Sequence, residues 1–149
     1  MKQLPLHVLL ADDDTDDCLI FRDALEELPI KTSLKTVNDG EKLMDLLAKD
    51  DVVLPDIVFL DMNMPRKTGY ECLSEIKHNK QLQHLPVVIF STSLNNDMIN
   101  LLYAEGAHFY IRKPGLFSQI KEVILHVLTV ISEKESQKRS KEEFIIEAI

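Results

Sequence analysis

The chain is poor in most of the features that would commit it early to a class. Of its 149 residues only Cys18 and Cys72 are cysteines, each inside an apolar helical pattern, which excludes a disulfide framework and fits buried thiols in a reducing compartment. Basic residues are outnumbered, 17 against 25 acids for a net charge of −8, so no broad basic surface for nucleic acid is expected. No apolar run approaches the roughly 18 residues of a membrane span, and only Lys2 precedes the first strand-like segment, so no targeting or transmembrane segment is read. His7, His78, His84, His108 and His126 show no metal or triad spacing. Internal repeats and low-complexity stretches are absent as well. The expectation is one cytoplasmic domain that binds neither nucleic acid nor membrane.

What is present is a core and an alternation. Hydrophobic residues make up 45% of the chain, enough for a single sizeable core. Leu6 to Ala11 is a short apolar strand ending on Asp12-Asp13-Asp14-Thr15-Asp16-Asp17. Cys18, Phe21, Leu25 and Leu28 then recur at helical spacing, with Asp14 or Thr15 as N-cap and Pro29 as the stop. Residues 32–37 alternate as a half-exposed edge strand, and Asn38-Asp39-Gly40 turns into a helix carrying Leu43, Leu46 and Leu47. Ile57 to Leu60 is apolar throughout, as in a strand buried on both faces, and it stops abruptly on Asp61. Gly69 precedes a helix with Cys72, Leu73 and Ile76. Residues 85–90 form a further apolar strand, followed by Ser91-Thr92-Ser93 and a helix closed by Gly106. Strand 108–112 leads through Lys113-Pro114 to a long amphipathic helix running to Ile131. Strict βα alternation with short links predicts a doubly wound, five-stranded parallel sheet of the flavodoxin-like order 2-1-3-4-5, with helices on both faces.

In such a sheet the strand exits share one edge, where ligands bind. That edge gathers Asp12 and Asp13, Asp61, Ser91 and Lys113. Crowded carboxylates repel, so either one takes up a proton or a divalent cation sits among them; with all-oxygen donors, Mg²⁺ is the natural choice. Lys113 would neutralise further charge and the Ser91 hydroxyl would donate a hydrogen bond. A carboxylate nucleophile forming an acyl phosphate is one chemistry that such a site supports. An EF-hand reading of Asp12, Asp14 and Asp16 fails, because Asp17 stands where the turn needs Gly and Asp23 where it needs Glu. A phosphatase of the haloacid dehalogenase type would use similar groups, but its Asp-x-Asp-x-Thr/Val signature is not met and there is no room for a cap.

The acidic pair Asp12-Asp13, Asp61 followed by Met64-Pro65 and Gly69, Ser91, and Lys113-Pro114, at their spacings, resemble the receiver domains of two-component response regulators over residues from about 6 to 131. The resemblance implies that Asp61 is the phosphoacceptor. It makes Asp13, Asp61 and the Asn63 carbonyl ligands of Mg²⁺, with Asp12 a ligand through water. Ser91 and Lys113 would grip the phosphoryl group, Lys113 being the catalytic lysine, while Asn63 and Thr92 beside it would tune phosphoryl lifetime. Tyr110 stands where the family often has an aromatic rotamer switch, and Lys113-Pro114 where it often has a cis bond. The implied partners are a sensor histidine kinase or histidine phosphotransfer protein and a downstream protein target. No enzymatic activity beyond the chain's own phosphorylation and dephosphorylation is implied. Asp16-Asp17 and the His78–His84 connection look like the single-domain regulators that accompany phytochrome-type kinases. Asp14, Asp16 and Asp17 are otherwise read as a solvated helix start favoured by the macrodipole.

The division expected is a receiver domain over 5–131 and a charged C-terminal extension over 132–149. That extension has no Gly or Pro to stop the preceding helix, but offers little apolar surface until Phe144, Ile145, Ile146 and Ile149. With Ile145 and Ile149 one helical turn apart, the tail would dock on the chain's own surface, dock on a second subunit, or fray. A homodimer contact is the preferred reading.

Overall fold

Short β-rich apolar runs separated by capped amphipathic helices pack in the computed structural model as three layers, described here for residues 5–49, 53–93, 95–133 and 140–147. The elements in order are β1 (Leu6–Ala11), α1 (Thr15–Glu26), β2 (Thr32–Val37), α2 (Gly40–Leu47), β3 (Ile57–Leu60), α3 (Gly69–Lys77), β4 (Val87–Ser91), α4 (Asn96–Glu105), β5 (Phe109–Arg112), α5 (Phe117–Ser132), α6 (Lys141–Phe144) and β6 (Ile145–Ile146). The sheet runs β2-β1-β3-β4-β5-β6, and every pair in it is parallel. The expected order is there, with a sixth strand added beyond β5.

Side chains alternate across the sheet, so each interior strand feeds two cores. Leu9, Val58, Leu60, Val87 and Ile89 meet Leu43, Leu47, Leu73, Ile76 and Leu102 from α2, α3 and α4. Val8, Leu10, Phe59, Val88 and Phe90 meet Phe21, Leu25, Ile124 and Val127 from α1 and α5. On this second face Phe21 packs edge-on against Phe59 and Phe90, with ring centroids 4.9 and 5.6 Å away, a geometry favoured by the ring quadrupoles. Cys18 and Cys72 are unpaired thiols. Burial pushes the Cys72 pKa up to about 12.

The helices begin where their caps dictate. Asp14, not Thr15, caps α1, its carboxylate accepting from the Asp17 amide. Thr68 and Glu71 form a reciprocal capping box on α3, and Gly106 closes α4 at φ 105°, a left-handed position that glycine adopts without steric cost.

The C-terminal segment corrects the sequence reading in one respect and selects among its alternatives in another. First, α5 stops at Ser132 with Glu133 as its C-cap. Ile145 and Ile146 are extended and pair with Tyr110 and Ile111 of β5; Ile149 lies outside the described residues. Two β-branched residues beside an open strand edge gain ladder hydrogen bonds that a short exposed helix does not supply. Second, the anchor lies on the chain's own body. Phe144 is buried at 1% exposure in the α2–α4 core, its ring centroid 5.2 Å from that of Tyr103. Of the destinations open to the tail, the chain's own surface is the one that Phe144 occupies, and β6 becomes the sheet edge.

Candidate functional site

Parallel register positions the candidate residues. Ala11 of β1 pairs with Leu60 of β3, so Asp12 and Asp61 leave the sheet side by side. The Asp61 amide donates to the Ala11 carbonyl (2.9 Å) and the Asp12 amide to Val37 (3.0 Å). Ser91 ends β4 opposite Arg112, and the Lys113 amide donates to the Ser91 carbonyl at 2.7 Å. Backbone pairing, rather than loop conformation, brings these side chains to one edge.

Asp12, Asp13 and Asp61 place one carboxylate oxygen each within 4.8 Å of one another. Asp12 and Asp61 are buried while Asp13 is exposed, so the group opens to water on one side. This all-oxygen donor set suits a hard divalent cation that keeps some of its water, as Mg²⁺ does. Burial pushes the Asp61 pKa up from 3.8 to about 6, with the Asp12 and Asp13 charges adding to it and Lys113 opposing it.

Lys113 lies across the mouth. Its Nζ is 2.8 Å from Asp12 Oδ2, 2.9 Å from Asp17 Oδ2 and 3.8 Å from Asp61 Oδ1, and 5.4 Å from the centre of the Phe90 ring. Burial disfavours the ammonium, but hydrogen bonds to Asp12 and Asp17 outweigh it and hold the Lys113 pKa above the ordinary lysine value. The Lys113-Pro114 bond is trans, since no peptide bond among the described residues is cis; trans is the default for X-Pro by roughly 0.5–1 kcal/mol.

Ser91 is fully buried. Its Oγ lies 3.3 Å from Ser93 Oγ and accepts from the Ser93 amide at 3.4 Å. Tyr110, 1% exposed, donates its hydroxyl to the Ser93 carbonyl. A continuous polar path therefore runs from Ser91 through Ser93 to Tyr110, beside the tail residue Phe144 in the same core. Asn63 and Thr92 are exposed, in the loops after β3 and β4.

Sequence reasoning missed Asp17, which it took for solvated but which holds Lys113. No signal in the sequence singles it out, because Asp16 is an equally surplus acid in the same first turn. Cys18 also borders the cluster. Its Sγ lies 3.5 Å from the Asp12 carbonyl, and burial with the neighbouring Asp12 charge raises its pKa to about 11, so it is an inert thiol.

Gly69 braces the loop after β3. Its amide donates to the Met62 carbonyl at 3.1 Å, and an added Cβ would lie 2.5 Å from the Asp61 carbonyl oxygen and 2.9 Å from Met62 Cα. Gly69→Ala is therefore expected to force this backbone aside and destabilise by about 1–3 kcal/mol, read from the urea midpoint.

Comparison with known proteins points to one family. A family model described as the response regulator receiver domain matches residues 8–125. The response regulator Rcp1 of Synechocystis is 32% identical over 113 residues, covering 73% of this chain and 77% of that protein. The two-component response regulator ORR5 of rice is 30% identical, covering 82% and 88%. Among solved structures, the phosphorylated cyanobacterial phytochrome response regulator RcpA superposes with a TM-score of 0.81 at 29% identity, covering 89% of this chain and 98% of that one. The Mn²⁺-bound form of Rcp1 superposes with a TM-score of 0.79 at 27% identity, covering 91% and 100%.

Proposed function

The chain belongs to the response regulator receiver family, and from that premise we propose that Asp61 accepts a phosphoryl group from a phosphohistidine on a sensor kinase or phosphotransfer protein. The observation that carries this reading is the meeting of a buried strand-end carboxylate with Asp12, Asp13 and Lys113 at one sheet edge. An Asp61 oxygen attacks phosphorus, the P–N bond breaks, and the imidazole leaves with its electron pair, taking up a proton. Asp13, Asp61 and the Asn63 carbonyl would hold Mg²⁺, with Asp12 reaching it through water, and the ion would neutralise charge on the phosphoryl oxygens. Lys113 donates to one of those oxygens and Ser91 to another. Asn63 and Thr92, exposed at the mouth, set how readily water reaches the acyl phosphate.

The Ser91–Ser93–Tyr110 path supports a switch. When the Ser91 hydroxyl turns to the phosphoryl group it leaves Ser93, whose carbonyl holds Tyr110. The surface that changes is then α4 and β5 together with the β6 tail, and a downstream protein reads it. Two unpaired thiols fit a reducing cytoplasm, and the net charge of −8 fits protein rather than nucleic-acid partners.

Phosphoramidate, a small P–N donor, tests the acceptor role. With Mg²⁺ the wild type is expected to gain one phosphoryl mass, and with a chelator none. Continuous release of phosphate without a labelled protein species would instead indicate a phosphatase.

A further inference from the structure

Lys113 is held by more carboxylates than a phosphate-binding lysine requires, and the one it holds least is the one proposed to react. Its ammonium gives hydrogen bonds to Asp12 and Asp17 but stands 3.8 Å from Asp61, beyond the reach of a normal N–H···O bond. The two partners differ. Asp12 is 1% exposed and its other oxygen accepts from the Asp14 amide at 2.9 Å. The Asp17 side chain is 34% exposed, lies on the first turn of α1, and is not among the three carboxylates that converge as metal donors. It faces the lysine and not the cation site.

We infer that Asp17 is a positioning residue that holds Lys113 off unmodified Asp61, and that Lys113 leaves it to pair with a phosphoryl group there. The inference rests on the phosphoacceptor reading of Asp61. The Lys113 backbone is pinned by its 2.7 Å bond to Ser91 and by Pro114, so the movement belongs to the side chain. A phosphoryl group adds negative charge and oxygens on the Asp61 side, and charge-assisted hydrogen bonds strengthen with that charge. Of the two bonds that hold the ammonium, the one to Asp17 is the cheaper to break, because water solvates a partly exposed carboxylate once it is released. Whatever the Asp17 contact contributes to the unmodified state is lost in the modified one, so it sets the equilibrium between them.

The sign of the effect separates this role from a merely structural one. If Asp17 only favours the start of α1, neutralising it leaves the affinity of the site for a phosphoryl mimic unchanged. If it holds Lys113 back, neutralising it tightens binding. The test is a ¹⁹F NMR titration of the full chain with beryllofluoride at fixed Mg²⁺, comparing wild type, Asp17→Asn, Asp17→Ser and Asp17→Glu. Asp17→Asn and Asp17→Ser are expected to bind roughly three- to tenfold more tightly, while Asp17→Glu, which restores a carboxylate, binds as wild type. Two neutral variants guard against one of them misfolding. Equal or weaker binding by the folded neutral variants overturns the inference but leaves the acceptor reading intact. Failure of the wild type itself to bind beryllofluoride overturns both.

Discussion

Replacing Phe144 with alanine is expected to lower the unfolding free energy by about 3–5 kcal/mol, the usual cost of emptying a fully buried aromatic site. Phe144 is 1% exposed, lies edge-on to Tyr103, and shares a core with Tyr110. It is the only fully apolar anchor of the described tail that is buried; Ile145 and Ile146 are half-covered. The loss is bounded by the docking free energy of the tail, because a weakened tail can detach and expose the β5 edge without global unfolding. Urea denaturation measures the first effect, and faster amide exchange at Ile145 and Ile146 reports the second. Glu147→Ala is the contrast. Its pairing with Arg112 at 3.4 Å joins two half-exposed side chains, so its loss is expected to cost below about 1 kcal/mol. A Phe144→Ala effect no larger than that of Glu147→Ala would mean that the tail does not dock as described.

Asp61→Asn is expected to stabilise the metal-free protein at neutral pH while removing its chemistry. The Asp61 pKa stands at about 6 in the folded chain against an ordinary value of 3.8. Between those values the folded protein keeps a proton that the unfolded chain has released, so stability falls as pH rises through that window and stays lower above it. The gap corresponds to on the order of 2–3 kcal/mol. In chelator, the variant should therefore exceed wild type by that order at pH 7.5 and match it below about pH 4. Mg²⁺ should narrow the difference by offsetting the crowded charge of Asp12, Asp13 and Asp61. A wild type and variant of equal stability at pH 7.5 in chelator would contradict the assigned environment of Asp61.

Most of the candidate site's convergence was legible because its side chains sit one step beyond strand ends. Apolar runs ending on Asp12, Asp61 and Lys113 need only parallel pairing to converge, and the Ala11–Leu60 register supplies it. Asp17 was not legible, since a first-turn acid looks the same in sequence whether it faces water or a buried ammonium. The tail was misread for a different reason. Lys, Glu and Gln favour helix locally, and two isoleucines are too few to show a strand period. The clue lay elsewhere in the sheet. Thr32 to Val37 has the alternating polarity of an edge, whereas Phe109, Tyr110 and Ile111 have the apolarity of an interior strand and are buried as one. An open edge made of such residues calls for a cover, and Ile145 and Ile146 are that cover.

Reductive trapping locates the residue that carries the phosphoryl group, expected to be Asp61. Full-length protein is incubated with acetyl phosphate and Mg²⁺, reduced with borohydride, which converts an aspartyl phosphate to homoserine, and sequenced by tandem mass spectrometry. Homoserine is expected at position 61, absent when acetyl phosphate is omitted. Homoserine at Asp12, Asp13 or Asp17 with position 61 unchanged would rule out Asp61 as the acceptor.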